Sequence, residues 1–340
     1  MHFEEDGTKR RKIVMPKRSI IVNGYAYPSI DTEVLKLWLQ DLTFLSTFSY
    51  GITKEGGVID LKDEKLIKSA NGNGVKALMV LTPMDANGKF NDEIASVLLE
   101  NPAARTNLIK NILDTIKKKG LYGVDFDFEY IPEKNRDEYV ALVNEARETL
   151  NPMGYIVTVA LAPKTSADQI GVLYQGHDYA GMGKAANLVL LMTYEWGYTY
   201  GPPMAVAPIN AVRRVLDYGV SEIPPEKILM GMPNYGYDWT LPFVQGKSKA
   251  KKVSHMKAVE IAKEYGVPIE FDKEAQTPFF NYVDKDGKEH VVWFENEESI
   301  RAKLALVEEY GFAGVSYWNI MDYSPINSRV LQEMYTVIKI

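Results

Sequence analysis

GLYGVDFDFEY, residues 120–130, sets three carboxylates at alternate positions of an otherwise apolar run. Successive side chains of an extended strand point to opposite faces, so Asp125, Asp127 and Glu129 share one face and Val124, Phe126 and Phe128 the other. Neighbours on one face lie roughly 6–7 Å apart. Like charges that close disfavour joint ionisation and burial disfavours it further, so at least one of these carboxyls is expected to hold its proton near neutrality. A proton-holding acid beside an ionised one suits general acid–base chemistry. The alternative is a half-buried strand with a solvated acidic face, but such faces mix in Thr, Lys and Ser, and the opposite side here is too aromatic for an edge.

Working outward, strand-like runs recur at 19–25, 42–50, 75–81, 155–161, 188–194, 227–232 and 314–318, which with the acidic stretch make eight. Helical periodicity fills the intervals: after a cap at Asp31, over 61–70, over 91–119 with a break at Pro102, and over 135–150, 174–186, 206–218, 297–310 and 329–338. Continuous apolar strands alternating with helices imply a parallel sheet covered on both sides, and eight such units close into an α/β fold of the TIM (β/α)8 type. A doubly wound sheet would need a Gly-rich first turn that the chain lacks. The spacing breaks once, where about eighty residues separate the seventh and eighth strands in place of the usual thirty or so. Residues 246–296 are read as a small α+β insertion at the top of the barrel, with a helix at 253–265 and a hairpin at Asp286-Gly287, which either shapes access to the site or is a decorative subdomain. The chain is thus a basic arm, 1–18, followed by one barrel domain, 19–340.

Composition narrows the function classes. Hydrophobic residues make up 46% and charged residues 25% of 340, an ordinary globular balance, and a net charge of −6 argues against nucleic-acid binding. Lys9, Arg10, Arg11, Lys12, Lys17 and Arg18 are read as a solvated tail. Cysteine is absent and the histidines at 2, 177, 255 and 290 are isolated, so neither a metal nor another cofactor is expected. The start MHFEEDGTKRRKIV has no apolar h-region and no run is long enough to span a bilayer, which reads as a soluble product without a secretory signal. A monomer is the expected assembly.

Reacting groups of such a barrel stand at the C-terminal ends of strands. Glu129 is the last of the three acids and nearest the mouth, so it is the expected proton donor, with Asp127 tuning it and Asp125 deeper. Other strand ends carry Tyr25 and Tyr27, Phe48 and Tyr50, Tyr194, Glu195 and Trp196, Asn234 and Tyr235, and Tyr317 and Trp318. Aromatic faces with polar rims suit sugar rings. A two-carboxylate glycosidase needs its acids on opposite sides of the scissile bond, and Asp127 and Glu129 rise from one face of one strand. Either Glu195 supplies the second carboxylate or the substrate supplies its own nucleophile, as an N-acetyl group can.

The run Gly123-Val124-Asp125-Phe126-Asp127-Phe128-Glu129 resembles the DGxDxDxE signature of glycoside hydrolase family 18. Met192-Thr193-Tyr194-Glu195-Trp196 and Gly314-Val315-Ser316-Tyr317-Trp318 are similar to its sixth- and eighth-strand motifs. The resemblance implies that Glu129 is the acid/base, Asp127 polarises the substrate's acetamido group, Asp125 supports Asp127, Tyr194 binds the acetamido carbonyl and Trp318 floors the pocket. Tyr25, Tyr50, Glu195, Trp196, Asn234 and Tyr235 are the further expected sugar contacts. Two positions depart from the pattern: Tyr122 stands at the first Asp, and Glu195 where chitinases have Asp. MTYEWGYTYGPPMAVAPI and MGMPNYGYDW resemble the spore-germination branch, N-acetylglucosaminidases of cortical peptidoglycan fragments, which implies a spore- or wall-associated bacterial enzyme. A chitinase and a non-hydrolytic sugar-binding barrel are the alternatives; such lectins characteristically lose the acid that Glu129 retains.

Three further signals are set aside. Gly181-Met182-Gly183-Lys184 lacks phosphate-loop spacing, DKDGKE at 284–289 reads as a hairpin turn, and KSKAKK at 247–252 as a solvated loop in preference to an anion contact.

Overall fold

Eight strands, Ser19–Ala26, Phe44–Ile52, Lys76–Leu81, Gly123–Phe126, Ile156–Leu161, Leu188–Leu191, Ile228–Pro233 and Gly314–Trp318, lie side by side in chain order. The first pairs in parallel with the second, Tyr25 opposite Ser46, and with the eighth, Asn23 opposite Ser316, so the sheet closes into a barrel. The computed structural model describes residues 17–84 and 91–340; the basic arm up to residue 16 lies outside the described residues. At the end of that arm Arg18 is held, donating to the carbonyls of Val307 at 2.9 Å and Phe312 at 2.5 Å.

Side-chain alternation sorts the strands into two layers. Val124, Phe126 and Phe128 are fully buried between the barrel and its helices, in one continuous core with residues such as Val22, Met79, Val157 and Val315. The odd-numbered acids face the barrel interior, whose apolar filling includes Phe44, Leu78, Val80, Leu190 and Leu229. Midway up, Ser46 Oγ donates to Asn23 Oδ1 at 2.9 Å, and Asn23 Nδ2 donates to Ser316 Oγ at 2.9 Å. At the lower end Tyr122 stacks on Phe44 with centroids 6.1 Å apart under the Lys76 ammonium. An aromatic plug therefore stands where the family pattern has its first Asp.

Local signals set most boundaries. Asn101 caps Pro102–Lys119 by accepting from the Ala103 and Ala104 amides, and Gly120 ends that helix with φ 71°. Three expected helices differ. The one expected over 174–186 is only Tyr179–Ala185, because Gly171 at φ 141° turns the chain first. The one expected over 206–218 is Ile209–Glu222, starting after Pro208. The closing helix is Pro325–Met334, capped by Ser324 Oγ, and Thr336–Val337 then leaves it as a short strand beside the first barrel strand.

The long seventh interval holds a second, five-stranded antiparallel sheet, ordered 251–253, 236–240, 289–293, 277–283 and 270–272. Helix His255–Tyr265 packs on it through a separate core of Val253, Ala258, Phe280 and Val292. The sheet begins at Gly236, ahead of the 246–296 span drawn from spacing, because the chain leaves the seventh barrel strand directly into it.

Candidate active site

The fourth strand's ladder stops at Phe126, yet its alternation continues beyond the last pairing. Side chains take over as struts. The Asp127 amide donates to Leu81 O at 3.0 Å. Tyr139, from helix Arg136–Leu150, stacks flat on Phe128 at 5.3 Å, accepts from the Phe128 amide at 3.4 Å and donates to Phe126 O at 3.5 Å. His177 Nδ1 accepts from the Ala162 amide at 2.9 Å, so its proton sits on Nε2, which donates to Phe128 O at 2.9 Å. Burial pushes this imidazole down to about 4 and keeps it neutral. Lys164 Nζ in turn donates to His177 O at 2.9 Å. The peptide between Asp127 and Glu129 is thereby fixed without a sheet partner.

The three acids differ in environment as well as height. Asp125 is buried and accepts from Tyr25 OH at 2.6 Å and Thr158 Oγ1 at 2.5 Å; burial raises its pKa and these bonds oppose the rise. Asp127, also buried, has its pKa pushed well up by burial, then by repulsion from Glu129 and Asp125, and its Oδ1 has no hydrogen-bond partner among the described residues. Glu129 is raised to about 7, first by burial and then by the charge of Glu195. It is the acid poised to exchange a proton at neutral pH.

Across the cleft, the chain past the sixth strand supplies Tyr194, Glu195 and Trp196. Tyr194 is seated over Gly231, where a Cβ would come within 2.7 Å of the Tyr194 ring and 2.6 Å of Leu191 O. Burial and then Asp127 hold its hydroxyl protonated. Glu195 sits at φ 68° and accepts from Tyr235 OH and, at 3.1 Å, from Tyr237 OH. Trp318 stands edge-on to Phe48 at 4.9 Å and to Tyr25 at 5.6 Å. Together with Tyr25, Tyr130, Tyr174, Tyr198, Tyr237 and Lys252 these groups enclose a cavity of about 550 Å³. A second hollow of about 480 Å³ continues from Glu129 and Tyr130 along Pro132, Glu133 and Gln175.

Of the expected site residues, Asp127, Glu129, Tyr194, Glu195, Trp196, Tyr25 and Trp318 meet in this cleft, with Asp125 directly beneath. Three expected sugar contacts lie elsewhere. Tyr50 is fully buried on the outer face, donating to Asp63 at 2.7 Å under the Lys119 ammonium. The pairing of the second and third strands shifts by one residue between Thr47 and Tyr50, and this bulge turns Tyr50 away from the mouth. Asn234 is buried and ties down the loop after the eighth strand, donating to Asn319 O at 3.2 Å and Asp322 O at 2.8 Å. Tyr235 does not line the cavity; it holds Glu195 from behind. Tyr237 and Lys252 escaped the sequence because they come from the insertion's sheet, where Lys252 pairs with Tyr237. Alternation in YGYDW was the available signal for Tyr237, and the basic run 247–252 that for Lys252.

The family model for glycosyl hydrolases family 18 matches residues 25–322, which include every cleft residue named. The chain belongs to family 18. The chain is accordingly a glycoside hydrolase acting on carbohydrate. The chain is 39% identical over 299 residues to the cortical fragment-lytic enzyme of Bacillus anthracis, covering 88% of this chain and 69% of that protein. It is 37% identical over 330 residues to the enzyme of the same name from Bacillus subtilis, covering 95% and 76%. Among solved structures, the Bacillus cereus spore cortex-lytic enzyme SleL superposes with a TM-score of 0.92 at 38% identity, covering 96% of this chain and 76% of that one. No helix among the described residues is long and apolar enough to cross a membrane.

Proposed function

We propose that this family 18 enzyme is a retaining β-N-acetylglucosaminidase that cleaves spore-cortex peptidoglycan fragments with the substrate's own acetamido group as nucleophile. The observation that carries the mechanism is the buried, unpartnered Oδ1 of Asp127 beside Glu129. An acceptor so placed suits an acetamido N–H, and burying it without a partner is costly. Glu195, the other candidate second carboxylate, is engaged by the hydroxyls of Tyr235 and Tyr237.

Glu129 gives its proton to the glycosidic oxygen as the bond to the anomeric carbon breaks. The acetamido oxygen, aligned by Asp127 on the N–H and by the Tyr194 hydroxyl, bonds to that carbon and forms a cyclic oxazolinium. Water then adds to the anomeric carbon, Glu129 takes the water's proton, and the acetamide re-forms with configuration retained. The cortical substrate rests on the relatives named for cortical fragments at 37–39% identity.

Glu129→Gln is expected to fold normally and lose nearly all turnover, followed by mass spectrometry of products from cortex muropeptides and chitin oligomers in parallel. Substantial turnover by this variant overturns the acid assignment. Cleavage of chitin alone by the parent enzyme overturns the peptidoglycan assignment in favour of a chitinase, and binding without cleavage of either makes the chain a sugar-binding barrel.

A further inference from the structure

Lys252 is the cation among the residues that line the cleft. The run 247–252, read from sequence as a solvated loop, keeps its lysines exposed, yet it is tied beside the cleft. The Ala250 amide donates to Thr199 O at 2.7 Å, which ties the run to the loop bearing Tyr198 and Tyr200, and Lys249 stands 5.5 Å over the ring of Tyr200. Residues 251–253 then pair antiparallel with 236–238, Lys252 opposite Tyr237. Alternation sends Val253 into the insertion's core and Lys252 to the cleft, its ammonium 3.8 Å from the centroid of Tyr235.

No described carboxylate lies within ion-pair distance of that ammonium. The negative groups that act on it are Glu195, whose carboxylate is already hydrogen-bonded by Tyr235 and Tyr237, and Asp322. Crowding by protein lowers the pKa of Lys252 on balance, these two charges oppose the fall, and the residue stays exposed to solvent. Three ammonium donors at a cleft wall, stacked on an aromatic face and without an ion-pair partner, fit an incoming anion. A homopolymer of N-acetylglucosamine carries none. Peptidoglycan alternates that sugar with one bearing a lactyl ether, whose carboxylate is either free or carries a peptide that ends in carboxylates of its own.

We propose that Lys252 is a carboxylate-binding group that recognises the acidic sugar unit adjoining the cleaved N-acetylglucosamine. The proposal rests on the peptidoglycan assignment and adds the contact that separates this substrate from chitin. A charge-assisted hydrogen bond in a partly enclosed site favours the charged ligand by about tenfold or more over a neutral isostere.

The test compares kcat/KM on three oligosaccharides: one with free lactyl carboxylates, its twin with those carboxylates reduced to alcohols, and one with peptide stems attached. The parent enzyme is expected to prefer a carboxylate-bearing substrate over the neutral twin by about tenfold. Lys252→Met is expected to bring that ratio near one and Lys252→Arg to keep most of it. A preference confined to the stem-bearing substrate, and lost in Lys252→Met, supports the proposal and assigns the carboxylate to the peptide. An equal fall on every substrate in Lys252→Met, leaving the ratio unchanged, overturns it, since that is what lost packing does. Equal turnover of all three substrates by the parent enzyme overturns the carboxylate contact alone, whereas no turnover of any of the three overturns the peptidoglycan assignment with it.

Discussion

At Glu129 a carboxyl is held up to about 7 by burial and by the like charge of Glu195. Its part in bond breaking needs the protonated form, so turnover is expected to fall as pH rises through about 7. Neutralising Glu195 removes the repulsion that helps keep the proton on Glu129. Glu195→Gln is therefore expected to move the alkaline limb of the kcat/KM profile to lower pH while leaving the enzyme active at acid pH. An unmoved limb contradicts the coupling, and complete loss of turnover at every pH makes Glu195 the nucleophile after all. Asp127 shows the same burial put to another use: its Oδ1, which no described protein group reaches, suits an incoming amide N–H.

At the scale of the element, the fourth strand is short where its chemistry lies. The last inter-strand bond is from the Asp127 amide to Leu81 O, and beyond it the backbone that carries Glu129 depends on Tyr139 and His177. His177→Phe leaves both Phe128 O and the Ala162 amide buried without a partner, at a cost of about 1–3 kcal/mol for each. Because the freed peptide carries both acids, kcat is expected to fall while KM changes little, with His177→Gln recovering part of the loss by restoring a donor. A fall in thermal stability with kcat intact reduces His177 to a packing role. The second strand shows the converse: one extra residue before Tyr50 reverses its face and takes an apparent rim aromatic out of the cleft.

At the scale of the molecule, a barrel built from local βα units receives one cleft wall from a sheet inserted between its last two strands. That sheet is bolted down where it rejoins the barrel. Glu295 accepts from Lys303 Nζ at 2.8 Å, both residues are almost wholly buried, and the other Glu295 oxygen has no partner among the described residues. Lys303→Met strands the carboxylate and is expected to destabilise the fold by about 3–5 kcal/mol in denaturant titration, with Glu295→Leu added to Lys303→Met recovering much of it. An unaffected midpoint in the single variant shows that the pair does not anchor the insertion.

The sequence by itself determined the barrel, its eight strands and the acids on one interior face, because alternation and helical periodicity are local properties read within ten or twenty residues. For the same reason it brought Tyr25, Tyr194, Glu195, Trp196 and Trp318 to one end of the barrel. Tertiary structure alone decided which strand-end groups face the cleft. A one-residue slip at Tyr50, the capture of Asn234 by the loop it secures, and the role of Tyr235 behind Glu195 all depend on partners distant in the chain. It also decided that Lys252, the end of an exposed lysine run, lines the cleft, since no local pattern states which edge of one sheet is laid against which loop of another.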